Sequence, residues 1–425
     1  MENMIGMSRQ RLQALLEELE KKYEEICAKS LSLDMSRGKP SGSQLDLTNG
    51  VLDKLEHYIV GNHLDARNYG CLEGIPEGRK LFAELLDIPQ ELIMLGGNSS
   101  LNMMYDTIMR MWVFGTHGLP AWSKLPKVKF LCPCPGYDRH FAICEDLGIE
   151  MIPVRMTQSG PDMDTVEKLV ADDDSIKGIW CVPLYSNPQG VCYSDETVRR
   201  LVNMKTAAAD FRILWDNAYA VHHLYEECEL LNIFTVAKEA GNLERIFYFF
   251  STSKITFPGA GVALFATGPE NFAEARKHMS IQTIGPDKLN QLRTVRYLKN
   301  AEGVRTHMRL LANELRPKFD VVLEVLNREL SGTNLATWTS PKGGYFVSLD
   351  TMPGCAKSTV ALAKAAGVVL TGAGATFPYG KDPNDSNIRI APSYPPIDEL
   401  RQAIEVFCVC LKLASVRKML ADTAS

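Results

Sequence analysis

The hydrophobic pattern along this chain changes period repeatedly. Short continuous apolar runs at residues 92–95, 128–132, 151–154, 178–182, 213–215, 246–250 and 262–265 read as strands. Most are separated by stretches with apolar residues every three to four positions. These predict helices over 101–113, 138–147, 165–171, 196–209 and 230–240. Strands apolar on both sides have to be covered on both faces. The alternation therefore predicts an α/β protein built on a mostly parallel sheet with helices on both faces.

The flanking segments follow another pattern. Leu12, Leu15, Leu16, Leu19, Tyr23 and Ile26 recur at helical spacing near the start, followed by a polar loop with two glycines and a proline at 34–42. A turn at 68–78 leads into a helix ending near Ile88. Beyond Gly285 come a long amphipathic helix over 304–330, an alternating strand at 343–349, short apolar runs at 368–370 and 388–390, and a closing helix over 397–413. This predicts a smaller α+β domain that the N-terminal helix joins. The expected division is a large domain over 46–303 and a discontinuous small one from 1–45 and 304–425.

Composition narrows the function classes. With 45% hydrophobic and 23% charged residues, the 425-residue chain has ample core material. A net charge of −5 and the lack of a basic stripe argue against nucleic acid as a partner. No apolar run approaches the ~20 residues needed to span a bilayer, and the N-terminus lacks the layout of a secretion signal. The 11 cysteines are odd in number and scattered, which suits reduced thiols in the cytoplasm. Neither Cys132–Cys134, Cys408–Cys410 nor the adjacent His222 and His223 has metal-ligand spacing, so no metal is expected.

Candidate chemistry gathers at the strand ends, where ligands bind in open parallel sheets. After the first run come Gly96, Gly97, Asn98, Ser99 and Ser100, opening a helix. Tyr137, Asn187, Asp216 with Tyr219, and Ser251, Ser253 and Lys254 follow later strands. A lysine just past a strand end, among hydroxyls and aromatics, can be desolvated into a usable amine nucleophile. Five strand ends of one sheet carrying polar or aromatic groups predict one composite site.

These motifs, in this order, resemble the fold-type I, pyridoxal-phosphate-dependent aminotransferases of class I, over nearly the whole chain from Arg37 to Arg389. The run 282–291 looks closest to a divergent bacterial aspartate aminotransferase branch. The resemblance implies that Asn98, Ser99 and Ser100 form the phosphate loop at a helix N-terminus, with Ser251 and Ser253 as further phosphate contacts. Tyr137 would stack on the pyridine ring, Asn187 and Tyr219 would hydrogen-bond the cofactor's phenolic oxygen, and Asp216 would hold the ring nitrogen protonated. Lys254 would carry the cofactor at rest and later move the substrate α-proton. Arg389 would fork onto the substrate α-carboxylate, helped by Asn187 and the backbone of Gly38. Tyr69 would reach the phosphate of a neighbouring subunit, implying a homodimer with shared sites.

The substrates implied are aspartate and 2-oxoglutarate. Both are dicarboxylates, so a second cation is required, with Lys288 of the partner the first candidate and Arg37 and Lys39 the reserves. One departure stands out. The family carries an arginine a few residues after the lysine, in a Gly-x-Arg-x-Gly pattern, where this chain has Pro258, Gly259, Ala260 and Gly261. Two other readings stay open: a β-lyase or decarboxylase on the same scaffold, and a catalytically silent, aminotransferase-like regulatory or binding protein. A dinucleotide dehydrogenase lacks its Gly-x-Gly-x-x-Gly signature.

Overall fold

The computed structural model describes residues 3–61 and 63–423. At its centre lies an eight-stranded sheet in the order Ile93–Leu95, Ala263–Thr267, Ile246–Ser251, Arg212–Asp216, Ile176–Cys181, Lys129–Cys134, Glu150–Thr157 and Gly160–Pro161. The five strands from Ile246–Ser251 across to Glu150–Thr157 pair in parallel. Ala263–Thr267 runs antiparallel to both its neighbours, and Gly160–Pro161 is antiparallel to its one neighbour. The strands Ile176–Cys181, Arg212–Asp216 and Ile246–Ser251 are buried at every position. Helices on both faces remove both sides of these strands from water, which explains their unbroken apolar character.

Local chemistry sets where the covering helices begin. Asp162, Ser194 and Asn232 each turn a side-chain oxygen onto a backbone N–H of the first turn that would otherwise lack a partner. Pro76 opens the helix Pro76–Leu86, where its missing N–H costs nothing. Phe82 of that helix packs on Phe250 of the strand below, with ring centroids 5.8 Å apart.

A second apolar cluster lies beside the sheet. It joins the helix Arg9–Cys27 and the closing helix Ile397–Asp422 to a three-stranded antiparallel sheet of Ala336–Trp338, Val347–Thr351 and Asn387–Ile390. The helix Ala301–Leu330 serves both clusters. Val304, Met308 and Leu311 pack with the central sheet, while Ala312 to Leu330 pack with the second cluster. One 30-residue rod thus fixes Arg389, on the small sheet, relative to Lys254 beyond the large one.

Several expectations move in detail. The helix expected over 196–209 is Asp195–Asn203, and that over 230–240 is Ile233–Glu239. The closing helix runs past residue 413 to Asp422. The alternating run at 343–349 gives a strand only from Val347, because Gly343 bridges to His223 instead. The helix Pro269–Gln282 carries no clean apolar stripe and was not expected.

Phe250 is fully buried where helix meets sheet. Replacing it with Ala should cost about 3–5 kcal/mol, read as a lower denaturant midpoint. A loss under about 1 kcal/mol would mean that this contact does not hold helix to sheet.

Candidate active site

The carboxyl ends of the parallel strands open into a cavity of about 530 Å³. Of the expected site residues, Ser99, Ser100, Tyr137, Asn187, Asp216, Tyr219, Ser251, Ser253, Lys254, Gly38 and Arg389 line it. Three others lie elsewhere. Asn98 is exposed and turns its carboxamide to the Pro258 carbonyl at 3.1 Å. Tyr69 is 78% exposed, and Lys288 is buried beside Gly285, outside the cavity of its own chain.

Asp216 ends its strand as a buried carboxylate at the cavity floor. His140 Nε2 lies 3.0 Å from Asp216 Oδ2, and its ring is stacked on Trp180 at 4.3 Å and 6°. Trp180 fixes the imidazole, and the imidazole fixes the carboxylate. Asp216 Oδ1 is buried with no protein partner. A buried carboxylate oxygen left this way is costly unless a donor arrives from a ligand.

Lys254 stands with Nζ 5.0 Å from the centre of the Tyr219 ring and 5.9 Å from that of Tyr345. Burial lowers its pKa from the ordinary 10.5, and the charge of Asp216 offsets only part of that. His222, behind it, donates from Nε2 to the Lys254 carbonyl, 3.3 Å away. Burial and the nearby ammonium push the imidazole down to about 3, which keeps it neutral. Burial raises the Tyr219 hydroxyl well above 10 and the Tyr137 hydroxyl to about 12, so both stay protonated donors.

Hydroxyls gather on the side of the cavity facing the helix Ser100–Phe114. Ser99 and Ser100 stand at its N-terminus, with Ser251 and Ser253 across from them. Ser251 Oγ donates to Ser253 Oγ at 3.1 Å, and Ser253 Oγ donates to the Asn98 carbonyl at 3.1 Å. Asn98 thus braces this loop through its backbone.

On the opposite wall Arg389 is buried. Its Nη1 donates to Asp138 Oδ1 at 2.9 Å and to Asn187 Oδ1 at 3.3 Å, and Nη2 donates to Thr371 Oγ1 at 3.4 Å. Its Nε is buried without a partner. The guanidinium lies over the Phe346 ring at 4.9 Å. A Cβ on Gly38 would sit 2.4 Å from that ring, so glycine is required there for Phe346 to keep its place under Arg389.

Sequence reasoning missed His140, Asp138, Arg139, Phe346 and Thr371, all of them at this site. Arg139 and Arg37 line the cavity and are, with Lys254 and Arg389, its basic residues. The only available signal was proximity of Asp138, Arg139 and His140 to Tyr137 after a strand end. Among the described residues, no group of three His, Cys, Asp or Glu could hold a metal ion.

A parallel sheet carrying a lysine, a buried carboxylate with one open oxygen and a hydroxyl-lined helix start defines a class of enzyme sites. The family model for aspartate amino-transferases matches residues 7–423, and the chain belongs to that family. It is 47% identical over 403 residues to a Corynebacterium glutamicum protein named aspartate aminotransferase, covering 94% of this chain and 93% of that protein. Among solved structures, an aspartate transaminase from Corynebacterium glutamicum superposes with a TM-score of 0.95 at 45% identity, covering 98% of this chain and 99% of the other. The α-aminoadipate aminotransferase LysN of Thermus thermophilus, complexed with N-(5'-phosphopyridoxyl)-L-leucine, shares the fold with a TM-score of 0.74 at 21% identity, covering 99% of this chain and 97% of the other.

A lysine with a lowered pKa is neutral at a pH where surface lysines are still charged, and it takes up a proton only as pH falls below its own pKa. In the protein stripped of small ligands, competitive acetylation across pH should therefore half-label Lys254 below the ordinary 10.5. Titration in step with surface lysines would contradict the desolvated environment.

Proposed function

We propose that this protein is a pyridoxal 5'-phosphate-dependent aminotransferase acting on aspartate and 2-oxoglutarate, in the cytoplasm, as a homodimer. The observation that carries the reading is Asp216 Oδ1, buried and unpartnered on the floor of the cavity that Lys254 and Arg389 also line. An orphaned carboxylate oxygen fits a protonated ring nitrogen, and the serine hydroxyls by the helix start fit a phosphate dianion. When bound, the cofactor supplies an electron sink for the bond broken at the substrate α-carbon.

The chain's own residues supply the rest. Lys254 anchors the cofactor and, as a free amine, takes and returns the α-proton, a role its burial favours by lowering its affinity for protons. Arg389 holds the α-carboxylate, with Phe346 and Asn187 fixing its plane. Tyr137 is assigned to the ring face, and Tyr219 and Asn187 to the phenolic oxygen. With no arginine at 258–261, the phosphate charge falls to Ser99, Ser100, Ser251, Ser253, the helix start and the partner subunit.

The dimer is supported by the surface around Tyr69, where Ile281 is 88% and Ile284 63% exposed. In this reading residues 46–303 carry the cofactor, and 1–45 with 304–425 form the part that holds Arg389 against it. Among the described residues no helix is long and apolar enough to cross a membrane.

Aspartate as donor follows the naming of the relatives, and the cavity supports it: Arg37 and Arg139 line its wall and can meet a second carboxylate. Lys288, outside its own chain's cavity, could serve only the partner's site. The purified protein, supplied with cofactor, should transaminate aspartate with 2-oxoglutarate, and Lys254→Ala should abolish this. Normal turnover by that variant, or no dependence on 2-oxoglutarate, would sink the assignment. Arg139→Ala or Arg37→Ala should cost aspartate about 10²-fold or more in kcat/KM while sparing alanine. If only Lys288→Ala discriminates, the distal carboxylate is read across the dimer instead.

The shared site has its own check. Chains with Tyr69→Phe and chains with Lys254→Ala, mixed and reassembled, should regain one good site per dimer. Failure to complement would count against sharing.

A further inference from the structure

Arg389 is a buried guanidinium in a site proposed to receive a carboxylate, yet its Nη1 already holds one. Asp138 Oδ1 accepts from Nη1 at 2.9 Å. The two partners are placed unequally. The Arg389 side chain is 8% exposed, whereas that of Asp138 is 34% exposed. Arg389 is also tied to Asn187, Thr371 and the Phe346 face, while Asp138 shows no second side-chain partner among the described contacts. If the pair separates, Asp138 is the member free to leave.

Its departure is also the less costly. Asp138 is the first residue of the helix Asp138–Asp146, where a carboxylate is stabilised by the unpaired N–H groups of the first turn. Turned to solvent, it keeps that favourable field. Arg389 turned away from Asp138 and left in place would be a buried cation with no counter-ion, which is costly. A substrate carboxylate arriving at Nη1 supplies the missing anion.

We propose that Asp138 is an intrachain placeholder for the substrate α-carboxylate. It neutralises and orients Arg389 while the site is open, and the incoming carboxylate displaces it. Asp138 is then a positioning residue that competes with substrate and weakens its binding. This rests on reading Arg389 as the carboxylate anchor. It goes beyond that reading by assigning a competitor for the same guanidinium edge.

The experiment uses the cofactor-loaded enzyme and succinate, a dicarboxylate without an amino group to transfer. Asp138→Asn should bind succinate roughly tenfold more tightly by calorimetry, since a neutral amide competes poorly for the guanidinium. Without ligand the variant should melt below the unaltered protein, and succinate should raise its Tm by more. In turnover KM for aspartate should fall with kcat little changed, the pattern of uniform binding. Asp138→Ser serves as the second variant should the amide not fold. Succinate binding that is unchanged or weaker in the folded variant would overturn the placeholder role. Failure of the functional reading itself looks different: the unaltered protein would then neither bind succinate nor turn over aspartate. That result would remove the anchor and the placeholder together.

Discussion

A carboxylate sunk in a protein interior needs a partner for each oxygen, and Asp216 has only one. His140 holds Oδ2, Trp180 holds His140, and Oδ1 faces the cavity alone. Much of the surrounding structure serves to keep this arrangement in place. The strand Arg212–Asp216 is fully buried between two parallel neighbours, so the carboxylate cannot swing out to water. One of these neighbours, Ile246–Ser251, delivers Ser251 and, two and three residues later, Ser253 and Lys254 to the same end of the sheet. Sheet topology thus converts separate stretches of sequence into one cavity, and the unmet oxygen says what kind of group belongs in it.

The opposite wall follows a related logic with the charges reversed. Arg389 is a buried cation whose nearest anion, Asp138, comes from the helix that also supplies His140. One nine-residue helix therefore braces the carboxylate on the floor and answers the guanidinium on the wall. Phe346 supports Arg389 from below, and Gly38 leaves room for Phe346. The long helix Ala301–Leu330, packed into both apolar clusters, sets the distance between floor and wall.

Much of this was legible in the sequence because buried parallel strands are apolar throughout and announce their ends. Asp216 follows such a run directly, and Lys254 and Asn187 come four and five residues after theirs, so their convergence could be read before any coordinates. His140 could not, because a histidine inside an amphipathic helix looks the same whether it packs in a core or braces a carboxylate. Asp138 and Arg139 were hidden for a similar reason: charges in a first helical turn are usually solvated. Lys288 was favoured for its place in a run shared with the family, but periodicity does not tell which chain's cavity a helix start faces. Gly38 was read for its backbone, whereas its proximity to Phe346 depends on a strand three hundred residues away in the sequence. The helix Pro269–Gln282 escaped because its apolar residues form no continuous stripe.

The central claim is that the free oxygen of Asp216 serves the protonated ring nitrogen of pyridoxal 5'-phosphate. Asp216→Asn tests it most directly, because the amide keeps the size of the side chain while removing its charge. The account predicts a folded variant that still takes up the cofactor, seen by its visible absorbance, but loses transamination of aspartate by roughly 10²-fold or more. Turnover close to that of the unaltered protein, with the cofactor bound, would contradict it.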